Sequence, residues 1–208
     1  MTAATRPVLL EARDLGLARG GRQLFESLTL TCNSGDWIHL QGANGTGKTS
    51  LLRILAGLSR FGFEGEVSCM AELLYLGHHS AVKPLLTPRE NLAMHLSGAI
   101  RRDSAEIDHA LASVDLYGYE NRPCSSLSAG QQRRVNLARL YLSEAPLWLL
   151  DEPYTAIDVG GVQRLEARMA EHIADGGGII MTSHQRVSQP GVSTVSLDEA
   201  ASQHGAES

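Results

Sequence analysis

The sequence predicts an α/β fold with a mainly parallel sheet at its core, an antiparallel β region at the N-terminus and a helical subdomain at about residues 85–142. Three observations lead to this prediction. After residue 37, apolar strand patterns alternate with helical patterns, which favours parallel strands with helices on the sheet faces. Two alternating segments precede them, and helix-start signals cluster between residues 87 and 129. We expect the 208 residues to form one domain.

The N-terminal part predicts a hairpin followed by a strand, a loop and a helix. Val8–Ala18 and Leu24–Cys32 alternate apolar and polar residues imperfectly, and a Gly-Gly pair lies between them. Trp37–Leu40 is a short apolar strand that leads into a glycine-rich loop. From Lys48, leucines recur at helical spacing as far as about Gly57, which predicts a helix.

The remaining elements follow from capping signals and apolar periodicity. Thr87-Pro88-Arg89-Glu90 is a capping box with proline at the first helical position, so a helix begins there, with Leu92 and Leu96 on one face. The later predicted elements are helices at Ala105–Val114, at Ala129–Leu142 and from Gly161, strands at Leu147–Leu150 and Ile179–Ser183, and a disordered tail from Ala200.

Composition argues against several classes of protein. The chain carries 18 basic and 23 acidic side chains, a net charge of −5, whereas nucleic-acid-binding proteins usually have a basic excess. The three cysteines form no CxxC pair, which is typical of reduced thiols in a cytosolic protein. We expect no signal peptide and no membrane-spanning helix, because the apolar runs are far shorter than the roughly 20 residues that a span needs.

The glycine-rich loop has the GxxxxGK[ST] pattern between a strand and a helix, which predicts a site for a nucleoside triphosphate. Its backbone N–H groups and the helix N-terminus suit phosphates, Lys48 reaches the β and γ phosphates, and Thr49 binds Mg²⁺. The predicted nucleotide-binding residues are Gly42, Ala43, Asn44, Gly45, Thr46, Gly47, Lys48, Thr49 and Ser50.

Two carboxylates end the apolar strand Leu147–Leu150. In a protein with a phosphate loop, the first, Asp151, is placed to hold Mg²⁺ and the second, Glu152, to orient or deprotonate the attacking water. Neighbouring strand residues point to opposite faces, so we expect the chain to turn here, and Pro153 marks that turn.

The segment LSAGQ lies 23 residues before Asp151, counted from Ser128. Taken alone, Ser128 is a helix N-cap. The order of phosphate loop, LSAGQ, LLDEP, Thr155-Ala-Ile-Asp158 and a strand ending in His184 resembles the ATP-binding subunit of ABC transporters over nearly the whole chain. The family's usual LSGGQ reads LSAGQ here.

The resemblance implies a head-to-tail dimer with ATP between its two copies. Ser128, with Gly130 and Gln131, would close over the γ-phosphate held by the partner's phosphate loop. Asp158 would lie in the loop that links the two sites, and His184 would contact the γ-phosphate and the attacking water. Lys48 and Ser128 would stabilise the transferring phosphoryl group.

Two adjacent histidines, His78 and His79, follow the strand at Leu73. ABC relatives carry a glutamine here that ligates Mg²⁺ or its water, and counting from Leu86-Thr87 places it at His78, or at His79 with one residue of slack. A zinc site is disfavoured because no cysteine pair and no His-x₃-His spacing is present. Neutral imidazole can replace the amide as a partner of water or metal.

A closer resemblance is to the ATP-binding subunits of the haem exporters of bacterial cytochrome c maturation, which usually read GHQ where this chain has Gly77-His78-His79. By that comparison His79 takes the glutamine position. The resemblance implies a multi-span membrane permease and haem-handling membrane proteins as partners, a site at the cytoplasmic face of the inner membrane, and no haem ligand in this chain.

Some alternatives stay open. Many relatives stack adenine on an aromatic residue 29 positions before the lysine, where this chain has Arg19, which either stacks through its guanidinium or is a solvated turn residue. The chain could serve another small ABC exporter, or act without a permease as a mechanical or assembly ATPase. A nucleotide kinase is disfavoured because it does not need LSAGQ beside LLDEP.

Overall fold

The computed structural model describes residues 6–95, 103–185, 187 and 189–200. The strands are β1 (Val8–Arg19), β2 (Arg22–Asn33), β3 (Trp37–Gln41), β4 (Glu64–Cys69), β5 (Leu73–Leu76), β6 (Leu147–Asp151), β7 (Gly178–Thr182) and β8 (Val192–Ser196). The α-helices are α1 (Lys48–Leu55), α2 (Pro88–His95), α3 (Ser104–Ser113), α4 (Ala129–Leu137), α5 (Val159–Ala174) and α6 (Leu197–Ala200).

The chain divides into two compact units. The first contains Met1–Tyr75, Ala145–Pro153 and Ala170–Ser208, and the second contains Leu76–Glu144 and Tyr154–Met169.

None of the described helices is both long and apolar enough to cross a membrane. The cysteines, all within the described residues, are free thiols, as the sequence predicts.

The first unit contains an antiparallel sheet in the order β2-β1-β4. The predicted hairpin is confirmed: β1 and β2 pair antiparallel, and the tip at Gly20–Gly21 has positive φ at both glycines. Strand β4 pairs with the other edge of β1 and was not predicted. Its side chains are exposed or half-buried and include two glutamates, so it lacks an apolar pattern.

A second sheet has the order β5-β6-β7-β3-β8, in which β3 pairs parallel with β7 and β8, and β6 pairs parallel with β7. Strands β6 and β7 are buried at every position, which explains why their sequences are apolar up to the last residue of each strand. Helix α1 packs on β6 and β7 through Leu51, Leu52 and Leu55, and α6 packs on β2 and β3. The prediction of an α/β fold with a mainly parallel core and an N-terminal antiparallel region is confirmed.

The second unit is helical in its larger part, where α2 packs on α3 and α4. The capping box of α3 is present, because Asp103 accepts from the Glu106 N–H and Glu106 accepts from that of Asp103. The single helix predicted at Ala129–Leu142 is instead α4 followed by a 3₁₀ turn at Ala138–Tyr141. Leu96 and tail residues 201–208 lie outside the described residues.

The contact between β1 and β4 requires glycine at residue 65. Gly65 has a φ of +86°, and a β-carbon there would lie 2.4 Å from the carbonyl oxygens of Arg13 and Asp14. We expect Gly65→Ala to lower the free energy of unfolding by more than about 2 kcal/mol, because backbone must shift. Denaturant titration measures this loss.

Gly62→Ala is the matched control. Gly62 has a similar φ of +82° with no atom within 4 Å of the added carbon, so it adds only the left-handed strain of about 1–2 kcal/mol. Equal losses for the two variants would show that the close approach at Gly65 contributes nothing.

Candidate functional site

The glycine-rich loop joins β3 to α1 in the first unit. Gly47 is the N-cap of α1 with a φ of +99°, and a β-carbon there would lie 3.2 Å from the Phe25 ring. The Lys48 Nζ donates to the carbonyl oxygens of Gly42 and Ala43, at 2.6 and 3.0 Å. The loop therefore lies where its sequence pattern predicts, with the lysine side chain folded back over it.

Asp151 is the last residue of β6 and lies almost fully inside the protein, with 1% of its surface exposed. Its Oδ1 accepts from the Thr49 hydroxyl at 3.2 Å and from the Thr182 hydroxyl at 2.9 Å. Two of the predicted Mg²⁺ ligands, Thr49 and Asp151, are thus in contact at the N-terminus of α1. Both offer hard oxygen donors, which suit that ion.

Glu152 and His184 also lie together. The Glu152 Oε2 accepts from the His184 N–H at 3.2 Å, and the Glu152 Oε1 lies 3.5 Å from the His184 Nε2. Glu152 has a φ of +50°, so the chain turns at this residue, which directs its carboxylate away from the path of the strand. The His184 side chain is 62% exposed and can reach a ligand.

Thr182 is a site residue that the sequence analysis missed. It ends β7, is fully buried, and bridges both carboxylate residues: its hydroxyl donates to Asp151 and accepts from the Glu152 N–H at 2.9 Å. The available signal was a hydroxyl residue at the end of an apolar strand. The Thr182 hydroxyl reaches both residues because the register of β6 with β7 pairs Asp151 with Thr182.

His39 was also missed. It lies on β3 with 3% of its surface exposed, and its Nε2 donates to the Ser183 carbonyl at 3.1 Å. The Gln41 amide lies 3.3 Å from the His39 Nδ1 and can donate to it, which fits the neutral tautomer with its proton on Nε2. A buried histidine thus holds the residue that precedes His184.

The carboxylate of Asp151 affects a nearby phenol. Burial raises the pKa of Tyr75, and the negative charge of Asp151 raises it further, while Arg53 acts in the opposite direction. Tyr75 therefore stays protonated at neutral pH and can act as a hydrogen-bond donor.

The LSAGQ segment lies in the second unit. Ser128 is the N-cap of α4 in a capping box: its hydroxyl accepts from the Gln131 N–H at 3.2 Å, and the Gln131 side chain accepts from the Ser128 N–H at 2.9 Å. A β-carbon at Gly130 would lie 3.1 Å from the Ala156 carbonyl. Asp158 precedes α5 and accepts from the Gly161 N–H at 2.7 Å. The two predicted partner-facing loops are therefore close to each other.

The remaining predicted residues are exposed. His78 and His79 lie edge to face with ring centres 5.4 Å apart. Within the described residues, no group of three histidine, cysteine, aspartate or glutamate side chains could hold a metal ion. Arg19 ends β1, next to the tip of the hairpin.

Comparison with known proteins identifies the family to which the chain is similar. The family model described as ABC transporter matches residues 25–155. The cytochrome c biogenesis ATP-binding export protein CcmA 2 of Salmonella paratyphi A is 49% identical over 189 residues, which cover 85% of this chain and 90% of that protein. The corresponding CcmA of Escherichia coli K12 is 47% identical, with 92% of this chain and 97% of the relative covered.

Solved structures support the fold. An ABC transporter ATP-binding protein of Pyrococcus furiosus has a TM-score of 0.79 and 26% identity, covering 92% of this chain and 98% of its own. A dimeric post-hydrolysis ATP-binding cassette with bound ADP and phosphate has a TM-score of 0.73 at 21% identity, covering 85% and 88% of the two chains. The predicted phosphate-loop fold of this type is confirmed.

Thr182→Val tests the hydroxyl bridge between the carboxylate residues. The change keeps the shape of the side chain but leaves the buried Glu152 N–H without its acceptor, so we expect a loss of about 1–3 kcal/mol in the free energy of unfolding. We also expect ATP hydrolysis to fall about tenfold or more, because the Asp151 carboxylate and the Glu152 backbone N–H lose a common partner.

Thr182→Ser is the control, since it keeps the hydroxyl and removes one methyl group. Denaturant titration and steady-state hydrolysis measure the two effects. If the valine and serine variants are equally stable and equally active, the hydroxyl has no part in holding the site.

Proposed function

The chain belongs to the ABC transporter family, and we propose that it is the ATP-hydrolysing subunit of a membrane complex that serves c-type cytochrome biogenesis. The observation that carries the hydrolytic part is the pair of carboxylates at the end of β6. One lies against the Thr49 hydroxyl at the start of α1, and the other lies against His184.

ATP binds along the loop from Gly42 to Ser50. The backbone N–H groups at the start of α1 point toward the phosphates, and the helix dipole favours their negative charge. The Lys48 ammonium exchanges its carbonyl partners at Gly42 and Ala43 for phosphate oxygens. Arg19 stacks on the adenine through its planar guanidinium.

Mg²⁺ fits the donors at this loop, because the Thr49 hydroxyl and the Asp151 carboxylate oxygen are 3.2 Å apart. These two residues would hold the ion, which would supply positive charge beside the phosphates. Thr182 keeps the Asp151 carboxylate in place through its own hydrogen bond. His79 is a further Mg²⁺ ligand by the family resemblance, in place of the glutamine of its relatives.

Hydrolysis needs a water aligned with the γ-phosphate. Glu152 accepts a hydrogen bond from this water and draws a proton from it as the oxygen attacks phosphorus, while the bond to the β-phosphate oxygen breaks. His184 positions the same water and the γ-phosphate. Their contacts with each other, at 3.2 and 3.5 Å, fix the direction of the carboxylate.

A second copy of the chain completes the site in a head-to-tail homodimer. Ser128, Gly130 and Gln131 of that copy present the N-terminus of α4 to the γ-phosphate, where Ser128 and Lys48 share the developing charge. Asp158 lies in the loop that joins the two sites. The support within this chain is that Ser128 is exposed at the start of a capped helix, next to the loop of Asp158.

The biological assignment comes from the relatives, whose names describe cytochrome c biogenesis ATP-binding export proteins. By this reading, the dimer lies at the cytoplasmic face of the bacterial inner membrane beneath a multi-span permease, with haem-handling membrane proteins as further partners. ATP hydrolysis then drives the export of haem or the release of a haem-carrying chaperone.

Glu152→Gln tests the hydrolytic role. The amide can still form hydrogen bonds but cannot take a proton, so we expect hydrolysis to fall at least about a hundredfold while ATP binding persists. ATP then stays between two copies, and a dimer should accumulate in size-exclusion chromatography with Mg²⁺ and ATP.

Glu166→Gln is a matched control, because Glu166 accepts from the Tyr154 hydroxyl within the second unit and is not one of the proposed catalytic groups. It should hydrolyse ATP at a rate close to wild type. Hydrolysis by Glu152→Gln at the wild-type rate would remove Glu152 from the mechanism.

Affinity capture tests the biological assignment. The tagged Glu152→Gln chain, held with ATP in detergent-solubilised membranes, should retain its membrane partners better than wild type, because the ATP-bound dimer persists. We expect mass spectrometry to identify the cytochrome maturation permease and haem-handling proteins. A different permease would assign the chain to another exporter, and the absence of any membrane protein would favour a mechanical or assembly ATPase.

A further inference from the structure

The C-terminal end of the described chain contacts the phosphate loop. Asp198, in α6, accepts from the Ala43 N–H, with both carboxylate oxygens 3.2 Å from that nitrogen. The two residues are 155 positions apart in the sequence. A hydrogen bond to an ionised carboxylate is stronger than one between neutral groups.

Ala43 is a junction within the loop, because both its N–H and its carbonyl are hydrogen-bonded. Its carbonyl accepts from the Lys48 Nζ at 3.0 Å, from the Thr46 hydroxyl at 3.0 Å and from the Thr46 N–H at 3.3 Å. Because its N–H is held from outside the loop, the orientation of this residue depends on Asp198. The same residue sets the carbonyl on which Lys48 rests.

The residue next to Asp198 is anchored in the hydrophobic core. Leu197, next to it, is fully buried in the main hydrophobic cluster, and a β-carbon at Gly42 would lie 3.5 Å from the Leu197 Cβ. Strand β8, which leads into α6, pairs with β3, which leads into the phosphate loop. The two segments therefore leave the same edge of the sheet side by side.

We propose that Asp198 is a positioning residue for ATP: it holds the Ala43 peptide so that the N-terminal half of the phosphate loop keeps its nucleotide-binding shape. This inference rests on the proposed function of the same site. Preorganisation of the loop strengthens binding because less ordering remains when the phosphates arrive. Asp198 does not contact the reacting atoms.

The carboxylate has two opposing effects on nucleotide binding. As an acceptor it orders the loop, whereas its negative charge repels a polyphosphate. Asp198→Asn keeps an acceptor oxygen and removes the charge, and Asp198→Ala removes both. We therefore expect the alanine variant to bind ATP about fivefold more weakly, and the asparagine variant to bind at least as tightly as wild type.

The measurement is the Kd of Mg-ATP, from displacement of a fluorescent ATP analogue on the purified chain, together with KM and kcat. For Asp198→Ala we expect KM to rise with Kd while kcat stays within about twofold, because the catalytic residues are untouched. Asp175→Ala is the charge control. It removes an exposed carboxylate that precedes β7, so it lies at the opposite end of the parallel strands from the phosphate loop. It should leave all three constants unchanged.

A double-mutant cycle isolates the hydrogen bond itself. Ala43→Pro removes the N–H that donates a hydrogen bond to Asp198. In this proline background, Asp198→Ala should therefore cause no further change in the Kd. In Ala43→Gly, which keeps the N–H, Asp198→Ala should still weaken binding about fivefold. This cycle remains informative if the proline variant itself binds weakly, because only the effect of Asp198→Ala within each background is compared.

Three results would overturn the proposal: an unchanged Kd in Asp198→Ala, an equal loss in Asp198→Asn and Asp198→Ala, or the same effect of Asp198→Ala with proline as with glycine at residue 43. Failure of the proposed function looks different, because the wild-type chain itself would then bind no Mg-ATP.

Discussion

The buried carboxylate of Asp151 is the constraint on which the rest of the site depends. A polar group with 1% exposure needs hydrogen-bond partners, and Asp151 accepts hydrogen bonds from the hydroxyls of Thr49 and Thr182, which are 102 and 31 residues away in sequence. The parallel sheet makes this possible, because the ends of β3, β6 and β7 reach one edge and the register sets Asp151 beside Thr182. The start of α1, the Glu152 carboxylate and the loop of His184 are then brought together by the same strand ends.

The parts of the fold that could be predicted from sequence are those with strong local patterns. Strands β3, β6 and β7 are mainly apolar because nearly all of their residues are buried, and α2 and α3 begin at capping boxes. Strands β4 and β8 were missed, because edge strands have exposed and polar side chains without clear alternation. The change from α4 to a 3₁₀ turn was missed because apolar spacing does not distinguish the two at a helix end.

The residues of the site also fall into those that could be predicted from sequence and those that could not. The phosphate loop and the carboxylate pair could be predicted because each is a contiguous motif whose chemistry is local. The sequence predicts that the chain turns at the carboxylate pair, with Pro153 marking the turn, and the backbone turns at Glu152, with a φ of +50° that only the surrounding structure can impose. Thr182, His39 and Asp198 were missed because each acts through a partner that strand register brings near, and register cannot be obtained from single residues.

The adjacent histidines lie on a segment whose backbone is held by its neighbours while both side chains are exposed. The buried Arg133 of α4 donates to the carbonyls of Gly77 and His78, at 2.7 and 3.2 Å, and the Ser80 hydroxyl donates to the carbonyl of Gln132. The segment is thus held through its backbone and through Ser80 by the helix that Ser128 begins, while both imidazoles remain exposed. A neutral imidazole offers one hydrogen-bond donor and one acceptor. A glutamine side chain, which is expected here from the family resemblance, also offers a donor and an acceptor in its amide. Histidine differs from glutamine in the reach and shape of its side chain, but the backbone at this point is held by α4, whose N-terminus is proposed to face ATP.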